Sequence, residues 1–231
     1  MINIIIHNSG LELINNENSD LTHNAIKNDV SRRKKRAEEI LLDLSIHQSA
    51  IKPERMPFSG RPDIIHLSLL TFHHNMKLLQ EDLNHSINLV VHTKNNIYFE
   101  VSDTWRIPVS YTRFRGLIEK LLLEKAIRFN ESITVSLKEN TLNGLIKSFR
   151  PDIVYNLTSK GHFIDSNSFF QNLYTDTKRD QSIVILIGGY QKGTVEIKLK
   201  DENVFNLKLF SETTTTWNIL GLILHYFLIN A

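Results

Sequence analysis

The segment Ile183 to Gly193, IVILIGGYQKG, constrains the fold more than any other part of the chain. An unbroken β-branched run of this kind reads as a strand buried on both faces, as in a parallel sheet. Gly188 and Gly189 at its carboxyl end predict a tight turn where the backbone can approach a ligand closely. After it come LKLFSETTTT, residues 207–216, and an apolar helix predicted over Trp217 to Ile229. An ordinary buried strand and turn would look the same, so the functional reading depends on the other segments.

The 231 residues suffice for one large domain or two small ones, and 41% apolar content allows a real core. A net charge of +2 decides nothing about partners, which leaves that to local clusters. The absence of cysteine excludes disulfides, thiolate nucleophiles and Cys-based zinc sites, and suits a cytoplasmic protein. MINIIIHNSG has neither the basic start nor the long apolar core of a signal peptide. The terminal helix is broken by Asn218 and His225 and falls short of the ~20 residues a bilayer span needs, so no membrane association is expected.

In chain order, Met1 to His7 predicts a first strand, with Asn8 or Ser9 capping a short helix near Gly10. Asn15 to Asn28 reads as a surface loop or short helix. SRRKKR, residues 31–36, reads as a solvated helix face, with a phosphate-binding patch as the alternative. Pro53, Pro57 and Gly60 make 51–61 irregular. In Gly60-Arg61-Pro62-Asp63, Pro62 suits a first helical turn and Asp63 its positive end. His66, His73 and His74 on that helix lack an acidic partner and read as structural. Residues 89–93 and 97–101 predict a hairpin turning at Asn95-Asn96.

WRIPVSYTRFRG, residues 105–116, interleaves Arg106, Arg113 and Arg115 with aromatics, as phosphate-gripping and base-stacking surfaces do. A capped helix with exposed arginines would read alike. An amphipathic helix is predicted over Leu117 to Arg128, a strand over 133–137 and a helix over 141–149. A strand over Asp152 to Leu157 is predicted to end in a polar turn, Thr158-Ser159-Lys160-Gly161. A helix is predicted over Ser166 to Tyr174. P-loop, dinucleotide and nucleophile-elbow motifs are missing.

GRPDIIHLSLL (60–70), RIPVSYTRFRGLIEKLL (106–122), IGGYQKG (187–193) and the LKLF…W…GLIL pattern (207–224) resemble the nucleolar essential protein family. These are ribosomal RNA pseudouridine-N1 methyltransferases of the SPOUT, or α/β-knot, superfamily. The likeness runs from the first strand to the last helix and is weakest over 15–57. It implies a single α/β domain over 1–231, with a variable polar and basic insertion around 15–57 and a deep trefoil knot around 152–231. It implies an S-adenosylmethionine site at Leu157, Thr158, Gly188, Gly189, Gly193 and Leu209, Phe210, Ser211, Glu212, Thr213 and Thr214, and no metal. It implies RNA contacts at Arg61, Arg106 and Arg113, with Asp63 holding Arg61 in place.

The family usually has a further arginine where this chain has Val109, so one contact is lost or moved to Arg115. The implied reaction is methyl transfer to N1 of a pseudouridine in small-subunit (16S) rRNA, with Arg61 stabilising the developing anion and Asp63 orienting it. A homodimer built on the terminal helix follows, with Trp217, Leu220, Leu224 and Tyr226 as candidate contacts across the two-fold interface or with the knot beneath it. Ribosome biogenesis, and ribosomal proteins or pre-ribosomal particles as partners, come with the same likeness. Two other readings stay open: a SPOUT enzyme acting on another RNA such as tRNA, and a non-catalytic rRNA-binding assembly factor.

Overall fold

The computed structural model describes residues 1–79, 87–102, 104–129, 132–193, 195, 197 and 203–230. From the amino terminus, β1 (Ile2–Ser9) leads into α1 (Asn24–Arg33), α2 (Leu44–His47) and the long α3 (Pro62–Leu79). A hairpin of β2 (Ile87–Thr93) and β3 (Ile97–Glu100) precedes α4 (Tyr111–Glu124), and three short strands follow, β4 (Ala126–Phe129), β5 (Ser132–Ser136) and β6 (Lys138–Glu139). The carboxyl-terminal part is α5 (Leu142–Ser148), β7 (Ile153–Phe163), α6 (Ser166–Lys178), β8 (Ile183–Gly188), β9 (Val204–Lys208) and α7 (Thr216–Ile229).

Seven strands form one sheet in the order β6-β3-β2-β1-β8-β7-β9. β2, β1, β8, β7 and β9 run parallel, and β3 and β6 add antiparallel pairs at one edge. β8 sits between β1 and β7, which is why its sequence is apolar throughout: Ile183 to Ile187 are all buried. Alternation then assigns the faces. Ile183, Ile185 and Ile187 join Ile2, Ile4 and Ile6 beneath α3, α4, α6 and α7, and Val184 and Leu186 join Ile5, Val90 and Val154 beneath α5. A third, smaller core of Ile14, Ile26, Ile40, Leu42, Ala50 and Ile51 lies within the insertion.

Local chemistry sets the element ends. Asp165 caps α6 by accepting from the Ser168 N–H, and Thr141 caps α5 by accepting from the Gly144 N–H. The 89–101 hairpin turns at Asn96, which adopts φ +60°, as expected for asparagine.

Four expectations need correction. No helix opens near Gly10. Residues 10–12 take no regular structure, and the backbone of 58–61 passes alongside: a Cβ on Gly10 would lie 2.9 Å from the Phe58 carbonyl oxygen. Thr158 to Gly161 is not a turn after a strand but a bulge inside β7: Leu157 and His162 both pair with Leu207, so the residues between them bow out. Gly161 is required there, since a Cβ would sit 2.5 Å from the Leu207 backbone. The amphipathic helix starts at Tyr111 rather than Leu117, and Ala126–Phe129 is strand. The basic run is exposed at Arg32, Lys34 and Arg36, as a solvated face is, but it is not an open anion patch. Lys34 ends α1 at φ +52°, and the flanking cations are paired, Arg33 and Lys35 with Glu119, Arg36 with Glu38 and Glu39, Arg32 with Asp29.

Candidate active site

Parallel strands leave a crevice beyond their carboxyl ends, where loops from neighbouring strands meet. Here the ends of β7, β8 and β9 surround a cavity of about 440 Å³. Of the positions expected to hold a cofactor, Leu157, Thr158, Gly188, Gly193, Leu209, Phe210, Glu212, Thr213 and Thr214 line it. Gly189 and Ser211 do not. Gly189 is turned toward β1, where a Cβ would stand 2.5 Å from the Ser9 hydroxyl, so its role is close packing.

The other two glycines shape the cavity in different ways. A Cβ on Gly188 would meet the Tyr190 ring at 2.9 Å. Gly193 adopts φ +107°, outside the range of ordinary side chains, and its Cβ would meet the Phe58 ring at 2.9 Å. Tyr190 and Phe58 themselves pack with ring centroids 5.1 Å apart, and burial pushes the Tyr190 phenol above its usual pKa, so it stays neutral. On the opposite wall, the Thr216 hydroxyl donates to the Gly188 carbonyl at 2.7 Å, tying the start of α7 to the end of β8.

Thr215, one residue past the expected segment, also lines the cavity. Its hydroxyl is buried and has no hydrogen-bond partner among the described residues. It stands at the N-cap of α7 without capping it. A buried hydroxyl left this way costs about 1–3 kcal/mol unless a ligand satisfies it. Sequence reasoning missed it because a run of four threonines gives no sign of which one faces inward.

Arg61 lines the same cavity. Its Nε and Nη2 donate to the two Asp63 oxygens at 2.8 and 2.7 Å, a two-pronged fork that leaves the Nη1 donors outside it. Pro62 opens α3 between them, and Asp63 in the first turn faces the helix's positive end. The Asp63 hydrogen bonds raise the Arg61 pKa, though partial burial opposes this, and Asp43 adds to the same direction.

Arg106 and Arg113 are exposed, Arg106 between the buried Trp105 and Ile107. Their segment is tied to α3: His66 contacts the Pro108 carbonyl oxygen through Nε2 at 2.8 Å and stacks on Phe114 at 4.5 Å. The structural reading of His66 is therefore correct. Arg115 was expected to offer a substitute RNA contact and does not. Its side chain is only 9% exposed and faces Asp43 at 3.3 Å and Asp29 at 3.5 Å inside the protein. Val109 is 74% exposed. Among the described residues no cluster of three metal-ligating side chains occurs.

A mostly parallel sheet with a cleft at its strand ends, walled by a late threonine-rich loop and edged by a forked arginine, is the place where open α/β proteins bind small ligands. The chain belongs to the EMG1/NEP1 methyltransferase family, whose model matches residues 4–228. It is 33% identical to the ribosomal RNA small subunit methyltransferase Nep1 of Pyrococcus furiosus over 221 residues, 95% of this chain and 93% of that one. It is 31% identical to the Nep1 of Thermoplasma acidophilum over 227 residues, 95% and 93% of the two chains. The crystal structure of Archaeoglobus fulgidus Nep1 bound to S-adenosylhomocysteine superposes with a TM-score of 0.75 at 28% identity, covering 97% of this chain and 95% of that one.

The cleft fits such a cofactor. Gly188 and Gly193 let the Tyr190 and Phe58 rings pack closely at its edge, and Thr215 offers an unused hydroxyl. The residues that would hold it are Leu157, Thr158, Gly188, Gly193, Leu209, Phe210, Glu212, Thr213, Thr214 and Thr215.

Proposed function

We propose that this protein methylates N1 of a pseudouridine in small-subunit rRNA, using S-adenosylmethionine, in ribosome biogenesis. One observation carries the reading: Arg61, forked by Asp63, lines the cavity that the glycine turn and the 207–216 segment enclose. Cofactor room and a fixed cation therefore share one cleft. When bound, the cofactor supplies a methyl group already activated on a sulfonium.

The chain's own residues supply the rest. N1 of pseudouridine must shed a proton, and negative charge then spreads to the ring carbonyls. In this proposal Arg61 stabilises that charge, and a fixed donor loses no energy reorienting as the charge grows. Asp63 holds the guanidinium in one rotamer. Leu157, Ile187 and Leu209 keep the floor of the cleft apolar and exclude water. Arg106 and Arg113 are free to meet phosphates or stack on unpaired bases. The base must leave its stack to reach the cavity.

Two further features belong to this proposal. The deep knot around 152–231 is one, and within that region the Thr216–Gly188 bond holds the terminal segment against β8. A homodimer would use the outward stripe of α7, Asn218, Leu222, His225 and Ile229, which recurs at helical spacing. Leu220 and Leu224 are fully buried within the chain, and Tyr226 stacks on Phe170 at 4.9 Å, so they serve the fold from beneath.

The test is methyl transfer to a pseudouridine-containing RNA hairpin and to its uridine twin, with nucleosides identified after digestion. Methylpseudouridine from the first and nothing from the second is expected. Methylation of both, or of a tRNA in preference, overturns the assignment of substrate.

A further inference from the structure

The helix α4 has two inward faces. Phe114, Ile118 and Leu121 enter the main core. Tyr111, Arg115 and Glu119, spaced four apart, form a second stripe along one side. Among the described residues, the hydrogen-bond and ion-pair partners of that stripe belong to the insertion, while the Tyr111 ring also packs on His66 at 5.6 Å. The Tyr111 hydroxyl donates to Asp43 at 2.7 Å, and Arg115 faces Asp43 and Asp29 at 3.3 and 3.5 Å. Glu119 accepts from Arg33 at 2.5 and 2.7 Å, from Lys35 at 2.8 Å and from the Leu41 N–H at 3.0 Å.

The carboxylates of this seam are closed to solvent: the Asp29, Asp43 and Glu119 side chains are 1%, 3% and 1% exposed. Burying charges this way adds little net stability compared with an apolar seam of the same size. What directed bonds do add is register, since α4 cannot slide along or rotate about its axis without breaking several at once. The next residue extends the seam to the catalytic cleft. Leu44 N–H donates to the Gly60 carbonyl at 2.7 Å, and Gly60, at φ +61°, immediately precedes Arg61. Asp43 and Leu44 thus touch both α4, which carries Arg113, and the turn that carries Arg61.

We propose that Asp43 is a positioning residue of the RNA site: through Tyr111 and Arg115 on one side and Leu44–Gly60 on the other, it holds Arg113 in register with Arg61. The insertion, least like the family in sequence, is then the part that aligns the two arginine-bearing elements. This inference rests on the RNA methyltransferase reading above.

Tyr111→Phe removes one hydrogen bond and leaves the Arg115 pairs in place, so it separates register from folding. The measurements are RNA affinity, kcat and KM for the pseudouridine hairpin, S-adenosylhomocysteine affinity by calorimetry, and thermal midpoint. Tyr111→Phe should weaken RNA binding about fivefold or more while cofactor affinity stays within about twofold, since small misplacements of positioned groups are costly. Asp43→Asn should do the same more strongly. Lys120→Gln, on the solvent side of α4, should match the wild type.

The deciding readout is a double-mutant cycle. If Tyr111 acts through Arg113, adding Tyr111→Phe to Arg113→Ala should cost no further RNA affinity. Additive effects overturn the inference, as does a Tyr111→Phe variant that binds RNA like the wild type while Arg113→Ala binds poorly. Should the wild type neither bind nor methylate the hairpin, the functional reading fails and this inference fails with it.

Discussion

The glycines of the cleft make separate demands, so one substitution at each predicts three different outcomes. Gly193 at φ +107° imposes a backbone penalty on any L-residue, and its new Cβ would also press on Phe58, which supports Tyr190. A residue held in such a region costs about 1–3 kcal/mol. If the 188–193 turn relaxes in the free protein and must be rebuilt to hold the cofactor, Gly193→Ala loses roughly 5- to 150-fold in affinity. Gly188 has an ordinary backbone, so Gly188→Ala only displaces the Tyr190 ring, and a loss of about tenfold or less follows from moving one flexible side chain. Gly189 faces β1, where Ser9 and Ile6 leave no space, so Gly189→Ala should lower the unfolding free energy by about 1–3 kcal/mol, as overpacking does. Calorimetric titration with S-adenosylhomocysteine and chemical denaturation of all three variants separate these effects. The reasoning is refuted if Gly193→Ala binds within twofold of the wild type with its stability unchanged, because the turn would then not line the site.

Arg61→Ala and Asp63→Ala should each cut kcat by about 10²-fold or more with RNA affinity changed far less, since Arg61 acts on charge present only in the transition state. Normal turnover of Arg61→Ala at saturating RNA would reduce Arg61 to a phosphate clamp. Arg106→Ala and Arg113→Ala should instead weaken binding and lower the slope of log affinity against log salt by about 0.7 each, measured by titration at several ionic strengths. Burial lowers the His7 pKa from its ordinary 6.5 to about 4, so the unfolded chain takes up a proton between these values and the folded chain does not. Stability is full above about pH 6.5 and falls by about 3 kcal/mol as the pH drops toward 4. Burial shifts His47 and His92 the same way, so denaturation at stepped pH should show a steep loss across this window that becomes shallower in His7→Gln. Leu222→Glu, on the outward stripe of α7, should give a monomer by sedimentation with its fold intact, and an unchanged dimer would move the interface elsewhere.

Much of the parallel sheet was legible because burial on both faces leaves a mark that composition alone carries. Ile183 to Ile187 has no polar residue to spare, and only a strand flanked by two others demands that. The α3 start was equally plain, since Pro62 and Asp63 are local signals that need no tertiary context. β7 was misread for the opposite reason. Thr158-Ser159-Lys160-Gly161 has the composition of a turn, and what keeps it within a strand is β9 lying alongside, which no local pattern shows. The cavity wall was found through likeness rather than periodicity, and Thr215 escaped because position in a threonine run is decided by helix geometry.

The charges of the insertion show why sequence alone misassigned Arg115. An arginine beside an aromatic in the first turns of a helix has the same local chemistry whether it faces RNA or a carboxylate. Its direction is fixed by Asp29 and Asp43, which lie far away in the chain and had no assigned role. The same holds for SRRKKR, whose apparent excess of positive charge is offset by Glu119, over eighty residues downstream. An arginine answered by a buried carboxylate cannot also answer a phosphate without leaving that carboxylate unpaired, at a cost of about 3–5 kcal/mol. Arg61 also has a carboxylate partner, yet Asp63 is 41% exposed and Arg61 reaches the cavity, so it keeps donors for a substrate. Pairing therefore does not distinguish a binding arginine from a structural one. What does is whether donors remain on the open side of the pair, and by that measure Arg61 suits the proposed site and Arg115 the seam.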